Sequence, residues 1–170
     1  PRVTRWYELH VNLLWPENKH YGAPYIEWLK QRGKEGAFEI WMQDQRWVPE
    51  AKTFPMKELV AQFGPYFFTS TFAWCMAAAI NEGVQEVALY GVDMASRDEY
   101  ILQRPGGYYF IQKCAEHGIR VTIPYESDLQ QPPGLYGYSE NTPFLRKLLA
   151  REQELKNRIA PMEQQMASLK

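Results

Sequence analysis

Phe68-Thr-Ser-Thr-Phe-Ala-Trp-Cys-Met-Ala-Ala-Ala-Ile-Asn-Glu-Gly-Val-Gln-Glu-Val-Ala-Leu-Tyr-Gly-Val-Asp-Met-Ala95 decides how the chain reads. Thr69, Ser70 and Thr71 are of the types that cap helix amino ends, and the apolar run from Phe72 to Ile80 predicts a buried helix over 69–81. Gly83 stops it. Glu86 to Gly91 is a near-continuous apolar strand, as in parallel sheets covered on both faces, and Gly91-Val-Asp93 sets a carboxylate just past its carboxyl end. Helix, strand and Gly-x-Asp in that order are how a Rossmann-like sheet builds a ligand pocket.

Outward from this stretch, strands and helices alternate. Val3 to His10 reads as a strand with Glu8 and His10 at its polar end, Ala23 to Gln31 as a short helix followed by Gly33, and Ala37 to Gln43 as a second strand. Pro49 and Pro55 bracket a loop, and Met56 to Phe63 is an amphipathic helix broken by Gly64-Pro65. Ser96 to Gly107 is the longest irregular stretch, ahead of a helix over Tyr108 to Glu116 and a fourth strand, Ile119 to Ile123. The expected fold is α/β: a three-layer, Rossmann-like, mostly parallel sheet joined by right-handed crossovers across residues 1–129. Residues 130–141 read as a linker and 142–170 as a C-terminal heptad helix. Leu145, Leu148, Leu155, Ile159, Met162, Met166 and Leu169 fall on alternating three- and four-residue spacing, with Glu152 the one polar residue of a coiled-coil-like seam. Such a seam needs a partner, and homo-oligomerisation through 142–170 is the expectation. Pro161 lies off the seam and predicts a kink or a second helix starting there.

Composition narrows the function classes. Nineteen Lys and Arg against twenty Asp and Glu leave the chain at −1, so no basic face for nucleic acid is expected. No apolar run reaches the ~20 residues of a membrane span, and the amino end is mixed and charged, so the expectation is a soluble, cytoplasmic protein. Cys75 and Cys114, in apolar helical settings far apart, read as buried thiols of a reducing compartment, and no Cys/His cluster suggests a metal. The first strand lacks a Gly-rich βα turn; either that turn lies upstream in a longer parent or this version does without it.

Several residues carry candidate chemistry. Thr69 to Thr71 are either an ordinary cap or an anion site built from a helix amino end. Asp93 either caps the next turn or bonds a ribose or sugar hydroxyl. Glu8 and His10, two residues apart on one strand face, are either a surface polar pair or an acid–base pair, and Gln43 ends the neighbouring strand. The stretch from Ser96 to Gly107, with Tyr100, Gln103 and Arg104, is either a solvated loop or a lid whose Arg104 forks onto phosphate or carboxylate. Ser127 either adds a wall to the cleft or caps a turn.

Phe68-Thr-Ser-Thr, Glu86-Val-Ala-Leu-Tyr-Gly-Val-Asp-Met, Glu99-Tyr, Gln103-Arg-Pro, Gly118-Ile-Arg-Val-Thr-Ile-Pro and Ser127-Asp-Leu together resemble an uncharacterised family of Rossmann-like proteins encoded by tailed bacteriophages and prophages, over residues 1 to about 140. More distantly, the Thr-Ser helix start and the Gly-x-Asp strand end are similar to bacterial lipooligosaccharide sialyltransferases and to relatives of archaeal hydroxymethylpterin pyrophosphokinase. By position, the resemblance to the sialyltransferases implies that Thr69, Ser70 and Thr71 contact a cytidine nucleotide. Two departures stand out: those enzymes open with a Gly-x-Gly-Pro-Ser-like loop, and they carry a catalytic His in the lid, where this chain has Tyr100, Tyr108 and Tyr109. The resemblance implies a phage protein in the bacterial host cytosol that binds a nucleotide or nucleotide-sugar and, if it is an enzyme, a glycosyltransferase-type group transfer. Ser70 and the helix amides would hold phosphate, Asp93 a hydroxyl and Arg104 the leaving-group charge, with His10 the candidate base. The alternative is a non-catalytic nucleotide-binding or interaction protein assembled through its C-terminal helix.

Overall fold

A computed structural model describes residues 2–14, 22–95, 99–129, 135–137 and 142–168. Most of the expected linker, the first residues of the expected lid, the side chain of Tyr100 and the seam residue Leu169 lie outside the described residues. The chain divides into two compact units, Pro1–Ala88 with Arg97–Thr122, and Leu89–Ser96 with Ile123–Lys170.

The first unit is mixed α/β. Its elements are β1 (Arg5–Glu8), α1 (Ala23–Glu35), β2 (Glu39–Met42), β3 (Lys52–Thr53), α2 (Met56–Phe63), α3 (Thr71–Asn81), β4 (Glu86–Ala88), a π-helical turn (Glu99–Gln103), α4 (Arg104–Glu116) and β5 (Arg120–Thr122). All strand pairs are parallel. They form two small ladders, β1-β2-β3 and β4-β5, rather than the single sheet expected; among the described residues no ladder joins β1 to β4. β1 is instead tied to the end of α3 by Arg5, whose Nη1 lies 2.6 Å from both Glu82 oxygens. β3 falls inside the stretch that reads as a loop. It is two exposed residues long, so no apolar alternation announces it, and only its register against Trp41 and Met42 makes it a strand.

Local chemistry explains the helix limits. α1 runs about one turn past its expected stop because Gly33 sits inside it, where a Cβ would lie 3.2 Å from Glu50 Cβ. The stop is Gly36, at φ 62°, in the left-handed conformation that glycine adopts without penalty. α4 begins at Arg104, four residues before the expected start. Pro105 occupies its first turn, where the missing N–H costs nothing, so Pro105-Gly106-Gly107 opens a helix instead of marking a loop. The lid expectation is corrected accordingly: residues 99–107 are helical, a π-turn leading into α4.

Apolar packing orders this unit. Leu13, Ile26, Leu29, Ile40, Met42, Val48 and Ala51 form a buried cluster between α1 and the three-stranded ladder, flanked by Trp6, Tyr25, Trp28, Phe38 and Trp47. α3 packs on α2 and α4, as its all-round apolar character requires, with Ala73, Met76, Ala77 and Phe110 buried. Phe68 stacks on Trp74 at 3.9 Å and meets Phe110 at 4.9 Å.

The second unit contains the segments after β4 and β5 and a long C-terminal helix, α5 (Pro143–Ser168). Thr142 caps α5 by accepting the Leu145 amide at 3.2 Å. The helix runs through Pro161 without a second start, which corrects that half of the expectation. Lys147 reaches back to both oxygens of buried Asp128 at 2.8 and 2.9 Å. The seam residues Leu148, Leu155, Ile159, Met162 and Met166 are exposed. No described helix is long and apolar enough to cross a membrane.

Candidate functional site

β1 ends in Glu8, and the next two residues turn out of the sheet beside the amino end of α3. A cleft of about 420 Å³ opens there, lined by Leu9, His10, Phe68, Thr69, Ser70, Thr71, Phe72, Trp74 and Gln103. Five of the expected site residues, His10, Thr69, Ser70, Thr71 and Gln103, therefore share one cavity. The aromatic wall of Phe68, Phe72 and Trp74 was not singled out by sequence, because Phe68 lies ahead of α3 and, on a helix apolar all round, nothing separates the cleft-facing Phe72 and Trp74 from core residues.

Ser70 is a true cap: its backbone is extended and its Oγ accepts the Ala73 amide at 3.2 Å. An α-helix leaves its first amides without intrahelical partners, so with Ala73 served, those of Thr71 and Phe72 are what the end of α3 offers a ligand. The segment leading into the cap is held tightly. Phe67 takes a left-handed φ of 72°, and its carbonyl oxygen lies 2.3 Å from where a Cβ on Gly106 would stand. Only glycine permits α4 to approach the α3 start so closely.

Glu8 and His10 are not a surface pair. Glu8 is 4% exposed. Its Oε1 lies 2.5 Å from His10 Nδ1 and accepts the His10 amide at 3.1 Å, while Oε2 accepts the Tyr25 hydroxyl at 2.6 Å. Tyr25 in turn accepts the Trp6 indole N–H at 3.0 Å. A carboxylate inside the protein thus aims a half-exposed imidazole at the cleft wall, the arrangement that fixes a histidine for proton transfer. Sequence reasoning missed Tyr25 and Trp6. The available signal was that Trp6 and Glu8 share a strand face, so the face that buries the indole buries the carboxylate too.

The remaining candidates sit elsewhere. Gln43 donates to the Leu9 carbonyl at 2.5 Å, holding the end of β1, and lines a separate cleft of about 430 Å³ with Thr53, Phe54, Met56 and Lys57. Arg104 is 2% exposed, with its Nε 2.5 Å from the Tyr108 hydroxyl and its guanidinium over the Tyr108 ring, so it is no exposed arm over a pocket. Asp93 and Ser127 belong to the second unit and stitch its loops together. Asp93 Oδ1 accepts the Asp128 amide at 3.3 Å; Ser127 donates to the Val92 carbonyl at 2.9 Å and accepts the Leu129 amide at 3.2 Å. Burial pushes the Cys75 thiol up to about 12 and the Cys114 thiol to about 11, away from nucleophilic chemistry. Among the described residues no group of three or more His, Cys, Asp or Glu is placed to hold a metal ion.

Comparison with protein-family models, with curated proteins and with solved structures finds no match to this chain.

Proposed function

We propose that the protein binds a nucleotide or nucleotide-sugar in the cleft at the end of β1 and transfers a group from it, with His10 as the base. The observation that supports this reading is the meeting, in one cavity, of a helix amino end suited to phosphate and a histidine backed by a buried carboxylate. The α3 amides and Thr69 to Thr71 face the phosphate, the aromatic wall takes an apolar ring or ring face, and Gln103 supplies an amide for a hydroxyl or base edge. His10 accepts the proton of the attacking hydroxyl, and the imidazolium so formed is stabilised by Glu8. The resemblance to phage-encoded Rossmann-like proteins and sialyltransferases is the source of the ligand class, and a phage origin and Rossmann-like ancestry belong to the same proposal. Arg104 has no part in it.

A thermal-shift screen against cytidine, uridine, guanosine and adenosine nucleotides and their sugar conjugates tests the reading. A ligand at a hundred times its dissociation constant stabilises by ~2.7 kcal/mol, which at 2–4 °C per kcal/mol for a chain of this size raises Tm by roughly 5–11 °C. No shift with any of them, or a shift that survives Ser70→Asp, defeats the reading.

The exposed seam of α5 favours a second reading, a protein assembled from copies of this chain through that helix. Leu155, Ile159, Met162 and Met166 are 41%, 50%, 64% and 66% exposed on one heptad stripe. Light scattering on the intact chain and on a Leu155→Glu, Ile159→Glu double variant separates the possibilities: oligomer and monomer respectively are expected, and a monomeric intact chain refutes assembly.

A further inference from the structure

Glu8 is buried at the end of a strand, and a buried carboxylate is stable only where donors take up its oxygens. The donors here form an ordered chain. An indole N–H can only donate, so Trp6 donates to Tyr25 Oη at 3.0 Å. The single phenolic proton of Tyr25 then goes to Glu8 Oε2 at 2.6 Å. Oε1 accepts the His10 amide at 3.1 Å, and the same oxygen faces His10 Nδ1 at 2.5 Å. An ionised carboxylate has no proton to give, so Nδ1 must carry one, and a neutral imidazole with Nδ1–H has its lone pair on Nε2.

We propose that Tyr25 and Trp6 are positioning residues that act through Glu8 to set the tautomer of His10, so that its Nε2 is the proton-accepting atom of the cleft. Tyr25 is itself fixed in place: its ring stacks on Trp28 at 6.0 Å and 17°, within the aromatic cluster that also holds Trp6. The phenol therefore delivers its hydroxyl to one carboxylate oxygen and leaves the other for the imidazole. The role in catalysis rests on the proposed function, whereas the tautomer is a property of the unliganded chain and is tested without substrate. A protonated Glu8 would donate to Nδ1 and produce the opposite tautomer, which makes the two arrangements distinguishable.

The test is long-range ¹H–¹⁵N correlation NMR of the histidine rings in the full chain, at a pH where His10 is neutral, with His10 assigned by loss of its signals in His10→Gln. The expected pattern has Nδ1 pyrrole-type and Nε2 pyridine-type. In Glu8→Gln, an NH₂ turned toward the ring meets the His10 amide N–H as well as Nδ1, and one turned toward Tyr25 leaves the phenol without its acceptor, so the single tautomer is expected to give way to a mixture. Tyr25→Phe, which keeps the ring packing, is expected to move His10 from one tautomer to a mixture. His117, whose Nδ1 faces the Lys113 carbonyl at 2.8 Å, is the internal reference whose signals stay put in a folded variant. An Nε2–H tautomer in the unmodified chain, or a Tyr25→Phe spectrum identical to it at His10, overturns the proposal. A negative nucleotide screen with the expected tautomer shift defeats the ligand reading alone.

Discussion

Replacing Gly106 with alanine separates a helix-propensity effect from a packing one. Gly106 lies in α4, where alanine by itself gains ~1 kcal/mol over glycine. The added Cβ, however, would stand 2.3 Å from the Phe67 carbonyl oxygen and 2.7 Å from Thr69 Oγ1, and the first of these is backbone with no rotamer to yield. Phe67 is already at φ 72°, a conformation that costs a bulky residue of order 1–3 kcal/mol, so it has little room to move further. Overpacking of this kind costs ~1–3 kcal/mol or more, and a shift of well over half an ångström puts the expected value at the upper end. After subtracting the propensity gain, a net loss of about 2 kcal/mol is expected, or a Tm lower by about 4–8 °C. Gly33→Ala is the paired control. It gains the same propensity, but its Cβ meets Glu50 Cβ at 3.2 Å and the tips of Ile40 and Val48 at 3.6 Å, so it should stay within ~1 kcal/mol of the parent. Urea and thermal unfolding followed by circular dichroism measure both. Because the Phe67–Thr69 segment leads into the cleft, Gly106→Ala should also weaken any ligand held there. A Gly106→Ala chain as stable as the parent would refute the close approach.

Ser70→Ala should cost ~1 kcal/mol through loss of the Ala73 cap, whereas Ser70→Asp keeps the cap, restores most of that stability, and abolishes phosphate binding by placing like charge at the helix end. Thermal melts with and without a nucleotide separate the two effects. Cys75 and Cys114, with thiols raised to about 12 and about 11, are protonated throughout the neutral range because burial disfavours the thiolate. At pH 8 roughly one in ten thousand and one in a thousand, respectively, are ionised, so alkylation followed by mass spectrometry should be slow until denaturant is added. Rapid labelling of the folded chain would show that Cys114 is not buried and that the half-buried Cys75 is more open than described.

What the sequence determined by itself is what is local. The Ser70 cap, the apolar α3, Pro24 in the first turn of α1 and the heptad of α5 rest on interactions within a few residues, so residue type and spacing suffice to read them. The strand–helix alternation likewise announced an α/β chain with parallel pairing, since both follow from period and connection length. Tertiary structure decided whatever depends on residues far apart. Glu8 is buried because α1 brings Tyr25 over its strand face from seventeen positions away. Arg104 is buried, and Pro105-Gly106-Gly107 is helical, because α4 packs against the loop of Phe67 through a glycine whose need for space no local pattern reveals. The two-ladder arrangement belongs to the same class, since strand pairing between short segments is set by long-range contacts rather than by the propensity of either strand.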